Sequence, residues 1–200
     1  MSNIKTQYKG LFADLAAINR IYGGLWSIGC SPYLHAAILI SLICAPFWMV
    51  PGWWDLPISV LPNLVGFTLG GYAILLAFGD EGFKIALSGS SSDKASPYLG
   101  ASATFAHFIS VQILALILAI IAKSGVFTYF PCQLADKINN IVDLDALTHV
   151  VWGLCFTVFT YALTLLGAAT IAIFHLTGWY DRLISEKQKR NKKTAPDNEN

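Results

Sequence analysis

The chain has 200 residues, of which 55% are hydrophobic and 12% charged, and its mean hydropathy is +0.56. Soluble domains carry about 25% charged residues, and here 13 basic and 12 acidic side chains nearly cancel. This composition excludes a disordered chain, a nucleic-acid binder with a basic surface and an ordinary soluble domain. The remaining class is a multipass membrane protein.

The first segment, residues 1–30, carries charges and has no continuous apolar core, so we expect no cleavable signal peptide. Its apolar residues recur at spacings of three and four, which predicts an amphipathic helix broken at Gly23-Gly24. We expect this helix to lie in the plane of the inner leaflet, with the groove of a soluble partner as the alternative. The apolar positions are Ile4, Tyr8, Leu11, Phe12, Leu15, Ile18, Tyr22 and Leu25.

Residues 31–180 contain four apolar stretches, and a helix needs about 20 apolar residues to cross a bilayer. The sequence therefore predicts an all-α polytopic membrane protein with four transmembrane helices, because lipid offers no partner for unpaired backbone groups. The first stretch contains Pro46 and Pro51. The predicted spans are 34–53, 56–79, 101–122 and 150–174.

The distribution of Lys and Arg predicts the orientation. With the N-terminus inside, eleven of these residues face the cytoplasm, and only Lys123 and Lys137 lie outside. We therefore expect both termini on the cytoplasmic face of a bacterial inner membrane. Asp80 and Glu81 favour a short cytoplasmic helix over 80–87, followed by a Ser- and Gly-rich loop to Pro97. Residues 181–200 read as a disordered basic cytoplasmic tail.

Ionisable and thiol groups give little support for a cofactor. His107 is the titratable group of the third span, and a hydrogen bond within the bundle is its expected role. The histidines match poorly in depth and lack HxxxH or ExxH spacing, so we expect neither haem nor a metal. The four cysteines show no CxxC pair, and Cys132, expected outside, has no intrachain partner there.

Small residues recur along the second span. Gly66 and Gly70 form a GxxxG motif that Ala73 and Ala77 extend along the same face. This spacing lets two helices approach closely, either within one chain or between copies.

A second seam of small and hydroxylated residues follows the fourth span: Gly153, Thr157, Thr160, Thr164 and Gly167. Tight helix packing is one interpretation, because a Thr hydroxyl can bond a carbonyl one turn earlier. The alternative is a polar lining of a central path in an oligomer, built from the three threonines.

Pro62 and Asn63 interrupt the second span. Pro62 frees a backbone carbonyl, and the amide of Asn63 could satisfy it. Asn63 and His107 are thus the candidate intramembrane polar sites. No hydrolase, metalloprotease, Walker A or dinucleotide motif occurs, so we expect a protein that is not an enzyme.

The segment LPNLVGFTLGGY over 61–72, with FGDEGF over 78–83, resembles helix two of small bacterial membrane proteins found in defence loci. Size, four crossings and inside termini are similar to the membrane subunit of the Kiwa antiphage system. The resemblance implies a homo-oligomer of the inner membrane that docks a cytosolic DNA-binding effector and responds to disturbance of the envelope by phage.

Our functional expectation is therefore an oligomeric inner-membrane scaffold or sensor that recruits a cytosolic protein. Its expected partners are membrane lipids, further copies of the chain and that cytosolic protein, without direct nucleic-acid binding. The alternative is a channel or pore-forming effector lined by Thr157, Thr160 and Thr164.

Overall fold

The computed structural model describes residues 4–77, 96–125 and 144–194, and all regular secondary structure in these ranges is helical. The helices are α1 (Ile4–Tyr22), α2 (Gly24–Gly29), α3 (Pro32–Ile43), α4 (Ala45–Trp48), α5 (Asp55–Ala77), α6 (Pro97–Lys123) and α7 (Leu144–Thr194).

Three of the described helices, α5, α6 and α7, are long and apolar enough to cross a membrane. At 1.5 Å per residue, the 23 residues of α5 extend about 35 Å, which exceeds the hydrocarbon thickness. These helices coincide with the second, third and fourth predicted spans. Residues 78 and 79 of the second predicted span lie outside the described residues.

The first predicted span, 34–53, is wrong as a single helix. Its apolar helix α3 has only 12 residues, and the helix is interrupted at Cys44 before the four-residue α4. Pro46 explains the break, because proline has no N–H to donate and its ring clashes with the carbonyl one turn earlier. Turns then lead through Gly52, whose φ of +102° suits glycine, into α5.

The buried core has two parts, one at each end of the helix bundle. The first, here the Tyr-rich end, collects six of the eight tyrosines around buried Phe105 and Phe108. The second, the Trp-rich end, collects four of the six tryptophans around buried Phe156 and Phe159. The residues are Tyr22, Tyr33, Tyr72, Tyr98, Tyr161 and Tyr180 at the Tyr-rich end, and Trp48, Trp53, Trp54 and Trp152 at the Trp-rich end.

The predicted break in the N-terminal segment occurs at Gly23 and Gly24, which have φ values of +119° and +76°. The helix α1 packs against α6 through its C-terminal part, where Tyr22 joins the Tyr-rich end. Residues 4–16 are exposed on every side, so the apolar side chains of this half of α1 contact no core.

The tail predicted to be disordered from residue 181 is helical to Thr194, and residues 195–200 lie outside the described part. The physical reason is that α7 is already nucleated within the bundle, so each added residue avoids the cost of starting a helix. Lys, Arg, Glu and Gln, which dominate 186–190, are also good helix formers.

The predicted cytoplasmic helix over 80–87 falls outside the described residues, as does most of the following loop. The same is true of Cys132 and of Lys137. The cysteines within the described ranges, Cys30, Cys44 and Cys155, are free thiols.

Candidate functional site: helix seams and intramembrane polar groups

The threonine seam of α7 contacts α3 of the same chain. Thr164 donates to the Tyr33 carbonyl at 3.0 Å, and Thr160 donates to the Ala37 carbonyl at 3.0 Å. One turn on, Thr157 donates to the Ser41 hydroxyl at 2.9 Å. The acceptor residues of α3 are four positions apart in ascending order, and the threonines of α7 that contact them follow in descending order. This is the order expected for antiparallel neighbouring helices.

These contacts connect the short α3 to the long α7 through polar groups within two apolar helices. Each Thr hydroxyl also lies near a carbonyl of its own helix, such as Gly153 O at 2.7 Å from Thr157 Oγ1. Since a hydroxyl carries a single proton, it is shared between the two acceptors. The threonine seam therefore packs α7 against α3 of the same chain. Thr160, the central threonine of the three, is only 2% exposed.

Gly153 lies at the Trp-rich end of the same seam and makes room for a tryptophan. A Cβ at this position would lie 2.9 Å from an atom of the Trp48 ring. The Trp48 indole N–H in turn donates to the Ser41 carbonyl at 2.8 Å, beside the break in α3. Gly153 is therefore required for close packing of α4 on α7.

The small-residue face of α5 is exposed, whereas the threonine seam of α7 contacts another helix. Gly66 and Gly70 are exposed, and a Cβ added to either would meet no atom within 4 Å. Ala73 and Ala77 are also exposed. The buried residues of α5, including Leu61, Leu64 and Thr68, lie on the opposite side. The described helices therefore leave the GxxxG face uncovered.

Asn63 begins this uncovered face. Its side chain is exposed and makes no hydrogen bond within the described residues, so it does not satisfy the carbonyl freed by Pro62, contrary to expectation. The residue is eight positions into α5, about 12 Å from the helix start. Asn63 therefore leaves an unpaired amide on an exposed helix face, and such a group costs free energy wherever it faces hydrocarbon.

Gly167, predicted to belong to the α7 seam, is exposed, and a Cβ added there would meet no atom within 4 Å. The seam of intrachain contacts therefore runs from Gly153 to Thr164 and does not include Gly167. Gly167 is thus an exposed glycine on a different helix from Gly66 and Gly70.

His107 lies at the Tyr-rich end, where its ring stacks on Tyr22 with centroids 4.1 Å apart and planes 22° apart. Its Nε2 is 3.4 Å from the Tyr161 hydroxyl, a long hydrogen bond. His107 therefore hydrogen-bonds within the bundle and connects α1 to the α6–α7 core.

A buried polar pair that the sequence analysis missed joins α5 to α6. Gln112 is fully buried, and its Nε2 donates to the Thr68 hydroxyl at 2.9 Å. The Thr68 hydroxyl in turn donates a hydrogen bond to the Leu64 carbonyl at 2.9 Å. The Gln112 Oε1 has no hydrogen-bond partner among the described residues. The sequence signal that could have indicated this pair is a single uncharged Gln in an apolar helix.

Within the described ranges no three His, Cys, Asp or Glu side chains come together in a group able to hold a metal ion. Comparison with known proteins gives no matching family model, no matching curated protein and no matching solved structure. The interpretation of function therefore depends on the arrangement of the helices and polar groups described above.

Proposed function

We propose that this chain is an oligomeric membrane scaffold of the bacterial inner membrane that recruits a cytosolic protein. The proposal includes four membrane crossings, with α3 and α4 together forming the first, and both termini on the cytoplasmic side. The observation that carries it is the uncovered face of α5, where Asn63 and the GxxxG motif are exposed and meet no other described helix.

A second copy of the chain suits this face for two physical reasons. Glycines without neighbours allow two backbones to approach closely, which strengthens dispersion contacts and weak interhelical hydrogen bonds. An Asn63 amide from each copy can supply the donor and acceptor that the other lacks. Self-association would thus satisfy a polar group that a single described chain leaves exposed to lipid.

The cytoplasmic elements that such an oligomer would present are basic. The extension of α7 carries Arg182, Lys187 and Lys189 against Asp181 and Glu186, and these side chains are exposed. A row of copies would multiply this positive surface, which favours an acidic protein partner. The Thr157, Thr160 and Thr164 hydroxyls are engaged with α3, so the described residues offer no specific support for the channel alternative.

The test of self-association is Förster transfer between donor- and acceptor-labelled full-length chains in lipid vesicles, followed as lipid dilutes the protein. The double variant Gly66→Ile/Gly70→Ile should need about tenfold higher protein density for the same transfer. Asn63→Leu should also weaken association. The matched control is Gly167→Ile, since that glycine is equally open to lipid.

Two results would contradict the proposed face: a parent chain that is monomeric at every protein density, or a loss of Förster transfer in Gly167→Ile equal to that in the double variant.

Recruitment is tested separately, by rebinding a purified co-isolated protein to the chain in nanodiscs. Charge reversal at Arg182, Lys187 and Lys189 should abolish rebinding if the α7 extension is the docking element.

The resemblance in the 61–72 segment supports testing the scaffold in antiphage defence. Cells carrying the chain and its neighbouring genes should survive phage infection better than cells carrying Gly66→Ile/Gly70→Ile. Equal survival would remove the defence role while leaving the measured self-association intact.

A further inference from the structure

The N-terminal half of α1 carries an uncovered apolar stripe. Five apolar side chains recur there at spacings of three and four, and they are 43–69% exposed. Further along the same helix face, Ile18 and Tyr22 are half-buried, and Tyr22 packs at the Tyr-rich end. One continuous stripe is thus partly covered by the bundle at its C-terminal end and covered by no described residue at its N-terminal end. The five side chains are Ile4, Tyr8, Leu11, Phe12 and Leu15.

A basic flank borders one edge of this apolar stripe. At about 100° per residue, the side chains of Lys5, Lys9 and Arg20 fall within about 60° of one another around the helix, next to Phe12. All three basic side chains are exposed. The one acidic residue of α1, Asp14, lies beyond the other edge of the stripe. The helix therefore presents an apolar face with positive charge along one side of it.

This arrangement excludes two environments for the N-terminal half of α1. Four charged side chains among the 19 residues of α1 make the hydrocarbon core of a membrane unfavourable. The exposed apolar stripe makes bulk water unfavourable. A helix in the plane of the membrane–water interface satisfies both faces, with the apolar side among acyl chains and the charged side in water.

The helix α1 also leaves the bundle at a level that suits the interface. Tyr98 lies in the first turn of α6, and Tyr180 directly precedes Asp181 on α7. Tyr22 of α1 packs at the Tyr-rich end together with these two tyrosines. Tyrosine is enriched where a membrane helix reaches the head groups, because its ring is apolar and its hydroxyl is polar. The attachment point of α1 therefore lies at the boundary between apolar and charged parts of the bundle.

The segment after the helix break adds exposed apolar surface next to α1. Leu25 and Trp26 of α2 are 77% and 83% exposed. An indole combines a large apolar ring with one N–H donor, so tryptophan is also typical of the head-group level. Trp26 is thus a second feature, independent of the α1 stripe, that fits a lipid surface.

We propose that residues 4–15 and Trp26 bind the anionic phospholipid surface of the leaflet that borders the Tyr-rich end. The apolar stripe lies among the acyl chains, and Lys9 and Arg20 lie at the level of the lipid phosphates. Anionic lipid is the occupant because each basic side chain near such a surface strengthens binding, and basic residues outnumber the single acidic one on α1. This anchor requires a membrane-embedded bundle but is independent of self-association through α5.

The test uses the full-length chain in lipid vesicles, with an environment-sensitive fluorescent amino acid incorporated at position 11 or position 13. Leu11 belongs to the apolar stripe, and Ala13 lies about 200° further around the helix. Acrylamide quenches a label in water, and lipids with brominated acyl chains quench a label among those chains. In vesicles rich in phosphatidylglycerol, brominated lipid should quench the label at position 11 and acrylamide should not. The label at position 13 should show the reverse.

Three substitutions on the exposed half of α1 separate the charge from the apolar contact. Lys9→Gln should raise the acrylamide-accessible fraction of the label at position 11 about fivefold, the effect of one basic residue at an anionic surface. The matched control is Asp14→Asn, which also removes one charge and should leave this fraction unchanged or lower. Phe12→Ser keeps every charge and should expose the label by weakening the apolar contact. All three side chains are exposed, so none of these changes alters the core.

The choice of lipid identifies the occupant of the apolar stripe. In vesicles of phosphatidylcholine alone, acrylamide access at position 11 should rise in the parent chain. The proposal is overturned if positions 11 and 13 are equally accessible to acrylamide in phosphatidylglycerol, or if neither the lipid change nor Lys9→Gln has an effect. Protection that appears only at high protein density would identify a second copy of the chain as the occupant and would also overturn it. Förster transfer between copies, which tests the α5 face, is a separate measurement on the same vesicles.

Discussion

The hydroxyl oxygen of Thr160 lies 3.0 Å from the carbonyl oxygen of Ala37, 123 residues earlier in the chain, and both residues are buried. This contact is the centre of the three hydrogen bonds that hold α3 against α7. With only 12 residues, α3 is shorter than a typical membrane-spanning helix. Its position in the bundle therefore depends on contacts with α7 rather than on its own length.

The first prediction concerns this contact. Thr160→Val keeps the branched shape but removes the hydroxyl, so the chain should lose about 0.6 kcal/mol, and at most about 1.7 kcal/mol, of unfolding free energy. The measurement is unfolding of the purified chain in mixed micelles of increasing SDS fraction, followed by circular dichroism.

Thr170→Val is the control for Thr160→Val. The Thr170 side chain is exposed, and its hydroxyl donates to the Leu166 carbonyl of its own helix at 3.1 Å. Its removal should change stability much less. Equal effects of the two substitutions would show that the bond to Ala37 adds no stability beyond a local one.

The second prediction concerns the close approach at Gly153. A methyl group there would lie 2.9 Å from the Trp48 ring, which is buried and cannot move away as a flexible chain end would. Gly153→Ala should therefore cost about 1–3 kcal/mol in unfolding free energy, the usual range for overpacking. Gly167→Ala, which meets open space, should leave stability unchanged or slightly raised.

The third prediction separates the partners in the Gln112–Thr68 hydrogen bond. Thr68→Val removes the acceptor of the Gln112 Nε2 and leaves the buried amide unpaired at both of its polar atoms, so it should cost about 1–3 kcal/mol. Gln112→Leu in the Thr68→Val background should recover most of this loss, because no buried amide is then left unpaired.

A double-mutant cycle in mixed micelles measures that recovery. The single variant Gln112→Leu is expected to be nearly neutral, since it removes an Oε1 atom that already lacks a partner among the described residues. If the double variant is as unstable as the sum of the single ones, the two side chains are not coupled.

The apolar patterns in the sequence were sufficient to locate α5, α6 and the membrane part of α7. Long apolar runs allow few other structures in lipid, so this agreement has a direct physical cause. The break after Ile43 was harder to predict, because many membrane helices accommodate a proline such as Pro46. Here neighbouring groups, such as the Trp48 indole, bond the carbonyls near the break.

The candidate seams show what a pattern of small residues leaves undetermined. Gly66 and Thr160 both belong to seams of the expected spacing, yet one faces outward and the other is buried against α3. Spacing fixes which residues share a helix face, but the packing of other helices decides which face is covered. Gln112 was missed because a single polar residue has no spacing to detect.

The last prediction concerns the attachment of α1 to the bundle through Tyr22. Burial raises the pKa of Tyr22 above its ordinary value, the Tyr161 hydrogen bond opposes this shift, and Tyr33 adds to it. A raised pKa means that the docked state favours the neutral phenol. The contribution of Tyr22 to docking is therefore complete below the ordinary pKa of about 10 and is lost as the pH rises through the raised value.

A spin label at Ala13, on the exposed half of α1, reports this docking. Its mobility should stay constant up to about pH 10 and increase over the pH interval above that value in the parent chain. Tyr22→Phe retains the stack on His107 but cannot ionise, so its label should stay constant over this interval. Tyr22→Ala should be mobile throughout, because the 4.1 Å stack on His107 is gone. The same pH response in Tyr22→Phe would mean that another group, and not Tyr22, controls the attachment.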